Sequence, residues 1–448
     1  MALTKIITDG ITDDAVTEAK LANAINTAVA ANTAKDLTAL SAANLTSGTI
    51  PDARFPATLP AASAANLTAV PAANITGTLP AISGANLTCI ASAGKAHNLI
   101  INGAMQVAQR GTSSTTSGYG TIDRFEARMG NVGVTPTQSQ SSLNSTDTGP
   151  WQEGFRNAMR IALPSAGTAN SNAEIQIRHK VENQDMANSG WNYPSSSSYV
   201  TLSFWFRCST NQTFYLYLYN SDSGKTLTLD FTASGNNTWT KITKQIKGAS
   251  TLVFGDNNGE GLAISFFAYN GTAYTNNAAL NTWQGYSGSN FSPDMATSWV
   301  TAGASTFDVT GVQLEVGDSA TDFEHRSFGQ ELTLCQRYYQ LLAPAVADAV
   351  ICFGGFITNE FVGVADLVHE MRIAPTLVVS NFTNAFRAYG SGGSNNPSTL
   401  LTDSVLNTTK AFFLRASFST DVGRAHLRVL SGANNGGVFA TIAVQAEL

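Results

Sequence analysis

Val200-Thr201-Leu202-Ser203-Phe204-Trp205-Phe206 and Phe214-Tyr215-Leu216-Tyr217-Leu218-Tyr219 are the two runs that decide the fold. In the first run, large apolar side chains stand at every second position. In the second, tyrosines alternate with Phe214, Leu216 and Leu218. Successive side chains of a β-strand point to opposite faces of the sheet, so a period of two predicts strands. Both runs are therefore predicted to be core strands of a β-sheet protein.

Further strands are predicted around these two runs. Leu227, Leu229 and Phe231 share one face of the segment 226–231. Many short strands separated by Gly, Asn and Ser turns are typical of a two-sheet sandwich. We predict a mainly β protein with a jelly-roll β-sandwich over 96–327. The first run lies in a predicted strand over 199–207. The other predicted strands of this sandwich are 239–246, 262–269 and 306–316.

A second β unit is predicted after a short helix. Leu332, Cys335 and Tyr338 stand at helical spacing, which predicts a helical connector over 328–342. Beyond the connector, apolar runs alternate with Gly-rich turns, which predicts a C-terminal β-sandwich head over 343–448. The predicted strands of the head are 350–357, 376–382, 411–418, 426–430 and 438–444.

A repeat occupies the chain before the sandwich. Ser41-Ala42-Ala43-Asn44-Leu45-Thr46 returns almost unchanged at 63–68 and 83–88, an interval of about 20 residues. Each unit has too few apolar residues to bury a face alone, so the repeat predicts an ordered fibre shaft over 37–95, shared by three copies of the chain. A disordered Ala/Thr/Pro linker is the alternative. A helical pattern predicts a short N-terminal helix within 1–36.

The composition excludes several classes of protein. Charged residues form 12% of the 448 residues and the net charge is −6, so we expect no nucleic-acid partner, which would require a basic surface. Cys89, Cys208, Cys335 and Cys352 follow no metal or disulfide pattern, so free buried thiols are expected. We expect no signal peptide and no membrane insertion, because no basic segment precedes an apolar run and no apolar stretch is long enough to span a bilayer.

Several motifs resemble tailed-phage tail-fibre proteins. These motifs are Asn98-Leu99-Ile100-Ile101-Asn102-Gly103-Ala104-Met105, Ile122-Asp123-Arg124-Phe125 and Gly311-Val312-Gln313-Leu314-Glu315-Val316-Gly317. Between them, Leu202-Ser203-Phe204-Trp205-Phe206 and Thr238-Trp239-Thr240-Lys241-Ile242 resemble jelly-roll carbohydrate-binding modules. The resemblance implies a tail fibre that is assembled in the host cytoplasm and exposed on the virion.

The resemblance also implies a division of labour along the chain. Residues 1–36 would attach the fibre to other virion tail or adaptor proteins, the shaft would join a homotrimer, and the head over 343–448 would bind a host surface glycan. Three copies would raise a weak single-site affinity through effective concentration. Two alternatives are a tail-spike enzyme that degrades the polysaccharide it binds, and a structural or decorative fibre without receptor affinity.

Aromatic residues in predicted loops form the first candidate glycan-binding site. Trp191, Tyr193, Trp283 and Tyr286 lie in connections rich in Ser, Gly and Asn. An exposed ring stacks on the apolar face of a sugar, while neighbouring Asn, Gln or Ser bind its hydroxyls. The alternative is that these rings pack under their own loops or at a subunit interface.

A second candidate glycan-binding site lies in the predicted head. Arg387, Tyr389 and Asn395 flank a Gly-rich segment, where a cation and a ring can contact a sugar and an amide can bind its hydroxyls. The alternative is a solvated turn with Tyr389 packed inward.

No catalytic, metal or cofactor site is predicted. Hydrolysis of a glycosidic bond needs two carboxylates that flank it, and the sequence does not pair Glu153, Glu174, Asp185 or Glu260. The segment 256–260 offers oxygen ligands for calcium, but it lacks the full loop pattern, so a plain turn is preferred. We therefore expect a protein that is not an enzyme and that binds no cofactor.

Overall fold

A computed structural model describes most of the chain beyond residue 97. The chain divides into two compact units, Met1–Cys89 and Ile90–Leu448. The predicted shaft over 37–95 lies outside the described residues, as does almost all of the segment 1–36. The described residues are 98–276, 278–343, 350–380, 386–390, 393–395, 397–402, 408–418, 425–429 and 441–448, together with helical positions 25, 27, 28, 30 and 31.

Two six-stranded antiparallel sheets dominate the second unit. The first, here sheet I, has the strand order β1-β3-β4-β12-β6-β9, and the second, sheet II, has the order β11-β8-β7-β10-β5-β2. The strands are β1 Ser113–Ser114, β2 Phe125–Gly130, β3 Thr137–Ser142, β4 Asn157–Leu163, β5 Glu174–Glu182, β6 Tyr199–Cys208, β7 Thr213–Asn220, β8 Lys225–Thr232, β9 Thr240–Lys247, β10 Glu260–Asn270, β11 Gln284–Gly285 and β12 Ser305–Val316.

The core lies between the two sheets and is rich in phenylalanine. Phe204 of sheet I contacts Phe266 of sheet II with ring centroids 5.0 Å apart, and Phe206 contacts Phe214 at 5.3 Å. All four rings are fully buried. Burying one such side chain stabilises the fold by about 2 kcal/mol, so this cluster contributes a large share of the sandwich's stability. The predicted mainly β sandwich is confirmed.

The two motifs at the ends of the sandwich pack against each other. Asn98 donates from Nδ2 to Val312 O (3.0 Å), and its Oδ1 accepts from Leu314 N (3.0 Å). Gly311 has a φ of +61° at the bulge of β12, and a Cβ there would stand 2.7 Å from the Phe155 ring. Only glycine meets both demands, because L-residues rarely adopt this conformation and the ring leaves no space.

Short helices lie at the edges of the sandwich: α1 Asn183–Ala187, α2 Ser298–Thr301 and α3 Phe328–Gln336. Helix α3 begins with a capping box, in which the Ser327 hydroxyl accepts from Gln330 N and the Gln330 side chain binds Ser327 N. It lies in the predicted connector, where the spacing of apolar residues predicts a helix over 331–339, and it begins and ends three residues earlier than that. Among the described residues, no helix is long and apolar enough to cross a membrane.

The remaining strands form a three-stranded sheet, β13-β22-β16, and a seven-stranded sheet, β18-β17-β21-β14-β15-β20-β19. All their pairings are antiparallel. The strands are β13 Tyr339–Ala343, β14 Val350–Ile357, β15 Glu360–Asp366, β16 Thr376–Ser380, β17 Phe386–Gly390, β18 Gly393–Asn395, β19 Pro397–Thr402, β20 Ala411–Phe418, β21 Ala425–Val429 and β22 Thr441–Gln445.

A buried charged network fastens the residues after β22 to the sandwich. Glu447 accepts from Arg110 (2.9 Å) and from Arg124, whose guanidinium lies 3.4 Å from the centre of the Tyr338 ring. The Arg124 side chain is 1% exposed. Removing one partner of such a buried pair leaves the other charge uncompensated, so the contact specifies how the segment docks.

Candidate functional site

The outer face of sheet II carries a groove of about 310 Å³. Side chains of β7 alternate between the two faces of sheet II, so one face packs in the core and the other lines the groove. Leu216 and Leu218 point into the core, whereas Tyr217 and Tyr219 point outward into the groove. Strand register then sets Ser265 of β10 beside Tyr217. The groove is thus built on the middle of a sheet, where side-chain positions are firmly held.

The segment 286–291 forms one wall of the groove. Tyr286 N donates to Gly224 O (2.8 Å), and the Thr228 hydroxyl donates to Phe291 O (2.8 Å), so the segment is tied to β8 and to the turn that precedes it. These bonds hold Tyr286 over Tyr219, with ring centroids 5.2 Å apart.

The aromatic side of the groove combines buried and exposed rings. Phe291 lies 5.1 Å from Tyr217 and 6.2 Å from Tyr286, and Phe267 stacks on Tyr217 at 5.7 Å. Tyr286 is 52% exposed, whereas Phe267 is 1% exposed. The groove therefore has an apolar floor and an accessible ring at its rim.

The opposite side of the groove is polar and comes from β2 and β5. Glu126 accepts from Arg178 (2.6 Å) and from Arg128 Nε (3.2 Å). Arg128 also approaches Glu174 at 3.8 Å, and Gln176 Nε2 donates to Glu174 Oε1. Burial would raise the pKa of Glu126, but Arg178 and Arg128 together hold it below its usual value. The carboxylate is thus ionised at neutral pH and fixes both guanidinium groups.

Charge is balanced in the groove and the phenols are neutral. Lys180 pairs with Glu260 at 2.9 Å, so each of the three cations near the groove has a carboxylate beside it. Burial raises the pKa of Tyr217 and of Tyr219. Their hydroxyl groups therefore act as hydrogen-bonding groups and not as anions.

Of the groove's carboxylates, Glu174 and Glu260 lie at opposite ends, whereas Glu126 and Glu174 both lie within 4 Å of Arg128. Glu174 and Lys180 are six residues apart on β5, and Lys180 contacts Glu260. At about 3.3 Å per residue, roughly 20 Å separates the two acidic positions. The two carboxylates of glycoside hydrolases stand about 5–10 Å apart. The arrangement is suited to binding a ligand through rings and fixed polar groups.

The structure separates the four aromatic residues predicted as one loop site. Tyr286 lines the groove. Trp283 precedes Tyr286 by three residues and is half-buried against the core. Its Nε1 donates to Lys247 O (2.8 Å). Trp191 is 3% exposed and, with Tyr193, packs around Phe254. For Trp191 and Tyr193 the placement agrees with the alternative, in which the rings pack under their own loops.

The candidate residues of the head lie on two paired strands. Arg387 and Tyr389 belong to β17 and Asn395 belongs to β18, where Ala388 faces Asn395 across the pair. The candidate site therefore falls on a hairpin and not on an extended loop. Its glycan-binding role stays a prediction.

Most residues of the groove were not predicted from the sequence. Tyr217, Tyr219, Arg128, Arg178 and Gln176 come from three strands that only the fold brings together. The signal in the sequence was the run of alternate tyrosines in 215–219, which places aromatic rings on the face of the strand opposite to the core. The polar partners carry no comparable signal, since charged residues alternate on many exposed strands.

Several side-chain oxygens of the segment 256–260 have partners within the protein. Asn257 Oδ1 accepts from Gly259 N (2.7 Å), and Glu260 pairs with Lys180. Among the described residues, no group of three or more His, Cys, Asp or Glu side chains is arranged to hold a metal ion. Cys208 and Cys335 are buried free thiols, and burial raises the pKa of each.

Comparison with known proteins gives structural likenesses only. No family model and no curated protein matches the chain. It is similar to the enzymatically active domain of bacteriophage CBA120 tailspike protein 4, with 11% identity and a TM-score of 0.26 over 49% of this chain and 21% of that one. The N-terminal cellulose-binding domain of Cellulomonas fimi β-1,4-glucanase C matches with 10% identity and a TM-score of 0.24, over 48% of this chain and 99% of that one.

A third similar structure contains the CBM22-1 and GH10 modules of Clostridium thermocellum xylanase 10B, with 9% identity, a TM-score of 0.22 and coverage of 48% of this chain and 30% of that one. The chain thus spans about a fifth of the tailspike structure. At these low scores, we infer function from the groove's own residues.

Proposed function

We propose that this chain is a glycan-binding adhesin of a tailed-phage tail fibre, and that the groove on sheet II binds a host surface glycan. The observation that carries the proposal is the pairing of an aromatic wall with fixed polar groups in one groove. A sugar ring has an apolar C–H face and a rim of hydroxyls, and these two sides of the groove complement it. Tyr219 and Tyr286 stack on the ring, while Arg128, Arg178 and Glu174 bind hydroxyls.

The assignment to a tail fibre rests on the sequence. The motifs at 98–105 and 311–317 resemble phage fibres, and the repeat over 37–88 supports a trimeric shaft. In this proposal, residues 1–36 contact other tail proteins and the fibre presents three grooves. A weak single-site affinity then becomes firm attachment through effective concentration. In this proposal the protein acts by adhesion and not by catalysis.

The decisive experiment is a glycan array probed with the full chain, followed by adsorption of the chain to host cells. A Tyr219→Ala, Tyr286→Ala double variant should lose both signals. An Arg387→Ala, Tyr389→Ala variant in the head should keep them. Loss of binding only in the head variant would place the receptor site in 343–448 and would refute the proposal that the groove binds the glycan. Release of reducing ends from a bound polysaccharide would instead identify a degrading tail spike.

A further inference from the structure

Among the described residues that line the groove, Gln176 Oε1 and the Tyr217 hydroxyl are buried polar atoms without a hydrogen-bond partner, and Gln176 Oε1 is the one that can only accept. Gln176 is 4% exposed, and among the described residues none hydrogen-bonds its Oε1. The orientation of this amide is determined by its neighbour. Nε2 donates to Glu174, and a carboxylate only accepts, so the nitrogen must face Glu174 and the oxygen must face away from it. A buried acceptor left unpaired is costly, so Gln176 Oε1 marks a place where a ligand donor is needed.

The surroundings of this oxygen restrict the donor. Across the strand pairs, Gln176 lies beside Phe267 on one side and Arg128 on the other. Phe267 is a buried ring that offers no hydrogen bond. A sugar hydroxyl placed here can donate to Oε1 and accept from Arg128, but it has no apolar group to place against Phe267. A secondary amide N–H brings a single hydrogen and no lone pair, and therefore leaves nothing unpaired.

Arg128 completes the recognition of an amide. Its side chain is 39% exposed, and its contact with Glu174, at 3.8 Å, is longer than a hydrogen bond. A guanidinium has five N–H donors, so Arg128 can keep Glu126 and also donate to a ligand carbonyl. The methyl of an acetamido group then has the Phe267 ring as its neighbour.

We propose that the groove selects glycans that carry a 2-acetamido sugar, with Gln176 as the specificity-determining residue. The inference rests on the proposed glycan-binding function. The acetamido N–H donates to Gln176 Oε1, its carbonyl accepts from Arg128, and its methyl packs on Phe267. A ligand reaches the Gln176 oxygen when Arg128 turns away from its long contact with Glu174.

The test compares matched glycans on the full chain. Each 2-acetamido oligosaccharide is paired with the 2-hydroxy oligosaccharide of the same length and linkage, for example an N-acetylglucosamine and a glucose oligomer, and dissociation constants are measured. The acetamido member should bind at least about tenfold more tightly, the worth of one buried hydrogen bond. Gln176→Met keeps the volume and removes the acceptor, so it should abolish this preference. Gln245→Met, on an exposed position of β9, is the matched control and should keep it.

The outcomes separate the two proposals. Equal affinity of wild-type protein for both members of a pair would overturn the acetamido inference and leave glycan binding intact, and this comparison needs no variant to fold. A preference that survives in Gln176→Met would also overturn it. If Gln176→Met does not fold, Arg128→Gln is expected to weaken acetamido binding more than binding of the 2-hydroxy member, and an equal loss for both members would contradict the proposal. Binding of no glycan at all would refute the proposed function and the inference with it.

Discussion

Replacing Tyr286 by alanine tests the groove most directly. A tyrosine side chain offers about 200 Å² of surface, and Tyr286 is 52% exposed, so roughly 100 Å² is available to a ligand. A sugar that covers one ring face hides about half of this area. At about 25 cal/mol per Å², the lost contact amounts to about 1.3 kcal/mol, which is about a tenfold loss of affinity.

The assay is calorimetric titration with a glycan selected from the array, together with thermal unfolding of each variant. Because the ring is half exposed, Tyr286→Ala should change stability little. Tyr199→Ala, on the other sheet, is the control and should bind as the wild type does. Unchanged affinity in Tyr286→Ala, with a folded protein, would show that the exposed ring does not stack on the ligand and would refute the stacking argument.

Three further predictions concern stability and assembly. Glu447→Gln leaves the buried Arg124 uncompensated and should lower the free energy of unfolding by about 3 kcal/mol in denaturant titration, whereas the exposed Glu370→Gln should not change it measurably. Burial raises the pKa of Asp123 to about 6, against about 3.9 in an unfolded chain, so its stabilising contribution is full below pH 4 and is lost as the pH rises through 6. The stability difference between wild type and Asp123→Asn should therefore shift by about 3 kcal/mol from pH 4 to 7, and an unchanged difference would contradict the assignment. Native mass spectrometry should give three times 47.1 kDa, and a monomer would refute the shared shaft.

Strand alternation made much of the sandwich predictable. Phe204, Phe206 and Leu216 stand at alternate positions, and each is fully buried in the core. Apolar runs between Gly-rich turns located the strands over 350–357 and 411–418, because both signals depend only on local sequence. The capping pair Ser327 and Gln330 also lies within four residues, although only the structure revealed where α3 begins.

The groove was less predictable because it depends on strand order. Arg128, Gln176 and Phe267 are far apart in sequence and become neighbours only through the register of β2, β5 and β10. Loop composition also gave an incomplete guide to exposure. Trp191 lies in a Ser- and Asn-rich connection, yet it is buried because the loop folds back over Phe254.

The pairing of β13 with β22 brings the two ends of a long interval of the chain together. Ala343 faces Ile442, so the chain leaves the three-stranded sheet and returns to it at adjacent points. All described strands of the seven-stranded sheet lie between Ala343 and Ile442 in the sequence. The same interval also contains β16, which belongs to the three-stranded sheet. Such an interval behaves as a cassette, because its ends need not move when its contents are exchanged. An exchange of this interval that keeps β16 and Arg372, which donates to Asn258 O of the sandwich (2.7 Å), therefore leaves both ends of the interval in place.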